Sequence, residues 1–116
     1  METAIAKYKS KFEKSVADLF KLKKITVKYE PDKFNYSLDL TYTPDWKVGD
    51  IYIETKGKFD YPERRKILGV LKSNPGIDLR MMFMRNNKLG KGSKMTYGEW
   101  CDKNKVRWSV YPEIPL

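Results

Sequence analysis

The sequence contains no histidine and a single cysteine, Cys101. The first absence excludes Ser-His-Asp and Cys-His catalysis, histidine-ligated zinc and histidine-based nucleases. Any hydrolysis by this chain must use carboxylates, lysine, a metal ion and water. A lone cysteine cannot form an internal disulfide, which fits a reducing compartment. No apolar run is long enough to span a bilayer and no signal-peptide pattern is present, so a soluble, cytoplasmic protein without a membrane partner is expected. Repeats, low-complexity segments and composition shifts are also missing. The 116 residues therefore point to one domain, 1–116, with a real but modest core.

What is abundant is positive charge. Lysine and arginine number 24 against 15 acidic residues, a formal balance of +9. Such a balance implies a polyanionic partner, nucleic acid ahead of an acidic membrane surface. Ribosomal and scaffolding proteins share it, so charge alone does not define an enzyme.

The chemistry concentrates in Tyr42-Thr43-Pro44-Asp45 and Ile53-Glu54-Thr55-Lys56. Ile51 to Lys56 is rich in β-branched and aromatic residues and reads as a strand. Its side chains alternate, with Ile51, Ile53 and Thr55 on one face and Tyr52, Glu54 and Lys56 on the other. Gly49-Asp50 supplies a turn, and Tyr42 to Trp46 reads as the partner strand that returns Asp45 towards Glu54. Two carboxylates converging on one point repel unless a cation lies between them, and oxygen ligands favour a hard ion such as Mg²⁺ or Mn²⁺. A Glu-x-Lys on a strand is also common on solvated faces, so both readings stand at this level. Half-burial of the isoleucine face and a strand end at Gly57 favour a site.

The flanking segments supply a frame. Thr3 to Lys24 reads as an amphipathic helix with Ile5, Tyr8, Phe12, Val16, Leu19 and Phe20 in one stripe. Glu13 falls on its shoulder, either a surface glutamate paired with a lysine or a third carboxylate aimed at the site. Ile25–Tyr29 and Phe34–Tyr42 read as strands joined by a turn at Glu30 to Lys33. Asp60 and Pro62 open a helix, Glu63 to Ser73, with Ile67, Leu68, Val70 and Leu71 inward and Asn74-Pro75-Gly76 as its stop. Leu79 to Met84 reads as a strand buried on both faces. Asn86 to Lys94 is a basic loop that either tracks a phosphate backbone or is simply solvated. It lacks P-loop spacing. Thr96-x-x-Glu99 is a capping box opening a short helix through Lys103, with Trp100 and Cys101 inward. Val106 to Val110 reads as a last strand and the remainder as a tail. The order gives an α/β fold, a small mixed β-sheet flanked by helices, with an antiparallel hairpin at the site.

Several pieces of the chain resemble phage endonuclease I, the phage-type Holliday-junction resolvases, within the PD-(D/E)xK nuclease superfamily. They are Ser10-Lys11-Phe12-Glu13, Tyr42-Thr43-Pro44-Asp45, Ile53-Glu54-Thr55-Lys56-Gly57, Arg64 to Lys66, Gly76 to Arg80, Lys88 to Ser93 and Thr96 to Cys101. These occur in the family's order over roughly residues 10 to 106. The Thr-Tyr-Gly-Glu block weighs most, because it carries no superfamily chemistry. The resemblance implies a restriction-endonuclease-like core and an intertwined homodimer that resolves branched double-stranded DNA by two symmetric nicks. It implies that Asp45, Glu54 and the Thr55 carbonyl bind the catalytic metal, that Glu13 holds or orients a second ion, and that Lys56 is the catalytic lysine. Two Mg²⁺ or Mn²⁺ ions per site and no small-molecule cofactor would follow, in a phage protein acting in the infected host cell. Lys9, Lys11, Arg64, Arg65, Lys88, Lys91 and Lys94 are the candidates for DNA contacts. Relative to the family, the Asp45–Glu54 connection and the segment 30–35 are shorter and a basic C-terminal extension is missing. The first leaves the site intact; the others bear on strand exchange and DNA affinity. A general nicking or restriction-type nuclease, or a non-catalytic DNA-binding module, are the competing classes.

Overall fold

The computed structural model describes residues 7–35 and 40–116. Helix α1 (Lys11–Leu22) buries Phe12, Val16, Leu19 and Phe20, the stripe read from the sequence. It is shorter than the expected Thr3–Lys24 span. Residues 8–10 are bent, and Ser10 stops the helix from running back by accepting a hydrogen bond from the Glu13 N–H at 3.0 Å. Ile5 and its neighbours lie outside the described residues. At the other end Lys24 adopts φ 56°, which turns the chain away.

Among the described residues seven strands follow, β1 (Lys28–Tyr29), β2 (Phe34–Asn35), β3 (Thr41–Tyr42), β4 (Trp46–Val48), β5 (Ile51–Lys56), β6 (Asp78–Phe83) and β7 (Trp108–Val110). Five form a sheet in the order β1-β4-β5-β6-β7. The β1–β4 and β4–β5 pairs are antiparallel, and β5–β6 and β6–β7 are parallel, so the sheet is mixed as expected. Helix α2 (Tyr61–Ser73) connects β5 to β6, and helix α3 (Tyr97–Lys103) precedes β7.

The stretch from Phe34 to Tyr42 differs from its reading as one strand. Its two ends pair with each other, Phe34 opposite Tyr42 and Asn35 opposite Thr41, in a separate ribbon. Alternation looks the same for one long strand and for two that fold back. Tertiary contacts decide: Asn74 Nδ2 donates to the Asn35 carbonyl at 2.8 Å, and Phe34 packs edge-on against Tyr52 at 5.0 Å. The strand read at Tyr42–Trp46 is also displaced. The ladder starts only at Trp46, because Pro44 has no N–H to give it.

The sheet separates two apolar layers. On one side α1 packs over Trp46, Ile53 and Met82. On the other, α2 and α3 cover Leu79, Met81 and Phe83, with Phe59, Ile67, Val70, Trp100 and Cys101. Strand β6 is therefore buried on both faces, with Met81 and Met82 in the core, but Met84, read as the end of this strand, lies beyond it and is 43% exposed. Leu68, expected inward, is 40% exposed. At about 100° per residue it points about 100° from Ile67 and about 160° from Val70, the two buried residues of this helix. The expected C-terminal tail is instead folded back. Arg80 is buried, bound to Asp78 through Nε and Nη2, and its Nη1 donates to the Pro115 carbonyl at 3.1 Å. A buried guanidinium needs acceptors for its N–H groups, and the terminal segment supplies one.

Helix α3 opens with the predicted capping box, Thr96 and Glu99 each bonding the other's backbone N–H. Gly98 within it faces the Trp108 ring. A Cβ there would come within 2.2 Å of the indole, and the closest atoms belong to a rigid ring that also hydrogen-bonds Asp102. Gly98→Ala is expected to lose about 1–3 kcal/mol through overpacking. Urea unfolding measures this; a loss below about 0.5 kcal/mol would mean that the indole moves aside freely.

Candidate active site

The site is built on the β4–β5 hairpin. Val48 pairs with Ile51, Lys47 with Tyr52 and Trp46 with Ile53, and Gly49 closes the two-residue turn with φ 58°. One step beyond the ladder, this register places Asp45 opposite Glu54. The Asp45 N–H donates to Glu54 Oε1 at 3.2 Å. Asp45 Oδ2 accepts from the Thr55 N–H at 3.0 Å and from the Thr55 hydroxyl at 2.7 Å. The Thr55 hydroxyl in turn accepts from Trp46 Nε1 at 3.4 Å. Trp46 is fully buried among the rings of Tyr8, Phe20 and Tyr29, so the acidic end of the hairpin sits on a rigid aromatic base.

Alternation along β5 holds as read. Ile51 and Ile53 face the α1 layer, and Tyr52 faces the other. Glu54 and Lys56 share a face, with Lys56 Nζ 3.5 Å from Glu54 Oε2. The same ammonium is 2.9 Å from Glu63 Oε2, and Lys66 is 3.3 Å from that oxygen. Glu63 reaches this position because it lies in the first turn of α2, where its N–H is capped by Asp60.

The two carboxylates are close to fully buried, Asp45 at 6% and Glu54 at 4% exposure. Burial raises both above the ordinary carboxyl range. The Asp45 charge pushes Glu54 further up, and the Glu13 charge does the same to Asp45. Hydrogen bonds from Thr55 and the nearby Lys56 charge oppose these effects without cancelling them. For Lys56, burial favours the neutral amine, but the Glu54 and Glu63 charges outweigh it and hold the ammonium above its usual range.

Glu13 is no ordinary surface glutamate. It is 8% exposed and lines the same cleft, of about 260 Å³, as Asp45, Glu54, Thr55 and Lys56. Lys9 and Lys66 line it too, with Tyr42 on the wall. The buried Tyr42 hydroxyl has no hydrogen-bond partner among the described residues. The Asp45 and Glu54 carboxylates fit a hard cation, being oxygens held out of water and raised in pKa by burial. Among the described residues, however, no three acidic side chains come close enough to share one ion. The compact pair is Asp45 and Glu54, and Glu13 stands across from it.

The remaining basic candidates lie outside the cleft. Lys11, Arg65, Lys88, Lys91 and Lys94 are exposed, and Arg65 lies over the Tyr61 ring. Lys9 pairs with Glu30 at 2.7 Å. Arg64 is turned inward, its Nη1 donating to the Phe59 carbonyl at 2.7 Å and the Leu89 carbonyl at 3.5 Å, so it ties the basic loop to α2. That loop is pinned further by Asn86 Oδ1 to the Gly98 N–H and by a Lys88–Thr96 bridge. Sequence reading missed Tyr29, Glu63 and Lys66 as parts of the site. Only the position of Glu63 and Lys66 at the start of a helix that follows Lys56 closely could have signalled the last two.

The fold and cleft define an α/β protein with a paired-carboxylate and lysine site at the open end of an antiparallel hairpin. The chain belongs to the phage endonuclease I family, whose sequence profile matches residues 1–112. It is 36% identical over 104 residues to endodeoxyribonuclease 1 of Enterobacteria phage T3, covering 85% of this chain and 68% of that protein. It is 33% identical over 110 residues to endonuclease I of Escherichia phage T7, covering 90% and 74%.

The raised carboxyl pKa values have a consequence for stability. In the unfolded chain both groups titrate near about 4. A folded pKa above that value means the folded state binds more protons, so their stabilising effect is complete in acid. It is lost as pH rises through the raised folded value. Glu54→Gln removes one such charge and keeps an acceptor for the Asp45 N–H. Without divalent metal, the variant is expected to melt a few degrees above the parent at about pH 8, with the gap closing towards about pH 4. Calorimetric melting across that range checks it; a gap independent of pH would contradict burial as the cause.

Proposed function

We propose that the chain is a divalent-metal-dependent DNA endonuclease that nicks branched DNA, four-way junctions included, as a homodimer. The observation that carries this reading is the register of the β4–β5 hairpin. It places two buried carboxylates side by side, with an ammonium on the same face. The family and the names of the T3 and T7 relatives support DNA as the substrate, as does the +9 charge.

Asp45 and Glu54 would hold the catalytic Mg²⁺ or Mn²⁺ together with the Thr55 carbonyl, and Glu13 would hold a second ion. Such ions supply Lewis acidity towards the phosphate and lower the pKa of an attacking water. Asp45 keeps Oδ1 clear of hydrogen bonds among the described residues, because Thr55 occupies only Oδ2. Lys56 stays protonated between Glu54 and Glu63, so its part is to stabilise negative charge on the phosphate and to position water, not to act as a base. Lys9 and Lys66, which line the cleft and pair with Glu30 and Glu63, would turn from these carboxylates to neutralise flanking phosphates. One chain provides one cleft and one nick. Two nicks in strands related by a two-fold axis need two chains, which a two-fold dimer matches.

Glu54→Ala should abolish magnesium-dependent nicking and leave DNA binding intact, since binding rests on the basic surface. Lys56→Met should slow nicking by roughly 100-fold or more. A gel comparing a four-way junction with linear duplex of equal length tests the substrate. Preferential junction cutting is expected; equal cutting would make the protein a general nuclease, and tight binding without cutting a non-catalytic module. Sedimentation should give a dimer, and a monomer that still resolves junctions would refute that step.

A further inference from the structure

Glu13 is the acidic residue that enters the cleft from α1, and it does not stand alone. Two donors converge on one of its oxygens. The Tyr29 hydroxyl and the Lys9 N–H both donate to Glu13 Oε1, the latter at 3.2 Å. No hydrogen bond among the described residues reaches Oε2. A glutamate side chain has three rotatable bonds, and pinning one oxygen removes most of their freedom before any ligand arrives. Tyr29 can act as a fixed pin because its own ring is held. It packs edge-on against Tyr8 at 4.8 Å and tilted against Trp46 at 5.0 Å. Trp46 is also the residue that braces the Thr55 hydroxyl behind Asp45. One buried indole thus supports both walls of the cleft, the Asp45 side directly and the Glu13 side through Tyr29.

We propose that Tyr29 is a positioning residue: by occupying Glu13 Oε1 it leaves Oε2 as the oxygen offered to a divalent cation across the cleft from Asp45. This rests on the function proposed above. A purely structural Tyr29 would satisfy a buried carboxylate and stabilise the fold without altering cation affinity. The hydroxyl is separable from the packing, since Tyr29→Phe keeps the ring between Tyr8 and Trp46.

The test compares the parent, Y29F, E13Q and the double variant. Mn²⁺ binding is measured by titration calorimetry without DNA, and nicking is measured against Mg²⁺ concentration. Y29F is expected to weaken Mn²⁺ binding by about 10-fold, the lower end of what loss of a ligand-orienting hydrogen bond costs. Its Mg²⁺ midpoint should rise by a similar factor, the maximal nicking rate should return at high Mg²⁺, and DNA affinity should not change. In the E13Q background Y29F should add nothing, because the group it orients is already altered. Parent-like Mn²⁺ affinity in Y29F, or an equal loss with and without E13Q, would overturn the positioning role while leaving the nuclease reading intact. A parent protein that neither binds Mn²⁺ nor nicks DNA would overturn that reading, and the Tyr29 role with it.

Discussion

Asp45 and Glu54 are like charges buried against each other, and most of the surrounding structure serves to keep them there. Removing two carboxylates from water is costly, and placing them side by side adds repulsion. The hairpin register imposes that pairing, because the ladder from Val48–Ile51 to Trp46–Ile53 sets Asp45 opposite Glu54 at its next step, with Thr55 beside it. Backbone and hydroxyl donors from Thr55 then offset part of the cost at Asp45. On the function proposed above, a cation bound between them would offset the rest and link folding free energy to ligand binding at this point.

The apolar layers explain how so polar an arrangement is held. Trp46, Ile53 and Met82 lie on the same side of the sheet as α1, so burial of the α1 stripe also positions Glu13 and closes the back of the cleft. Across the sheet, the α2 start delivers two side chains with different tasks. Glu63 faces Lys56, and Arg64 binds the Phe59 and Leu89 carbonyls. The segment after Lys56 is thereby fixed to both Lys56 and the basic loop. Gly98 and Arg80 make the same point for the scaffold. One permits α3 to close on Trp108, and the other anchors the terminal segment to β6.

Much of this was legible in the linear chain, for reasons local to it. The period-two pattern of Ile51 to Lys56, the Gly49-Asp50 turn, the Asp60 and Thr96 caps and the apolar run at β6 each follow from short-range sterics and hydrogen bonding, and each is present. Those same signals sufficed to bring Asp45 to Glu54, because a tight two-residue turn fixes register without help from distant residues. Local signals misled where two outcomes share one pattern. Phe34 to Tyr42 alternates whether it runs straight or folds back, and the apolar count of α2 does not say that Leu68 faces out.

Composition and spacing alone determined the absence of histidine chemistry, the basic balance, the α/β order and the carboxylate pair on one hairpin. Only the tertiary structure decided that Glu13 is buried in the same cleft, that Tyr29 and Trp46 brace it, that Glu63 rather than solvent faces Lys56, and that Arg64 turns inward. The reason is one of distance along the chain. Tyr29 and Glu13 are 16 positions apart, and Arg64 and Leu89 are 25 apart. Such contacts arise from how whole helices settle on the sheet, a consequence of the complete core that no short stretch of sequence encodes.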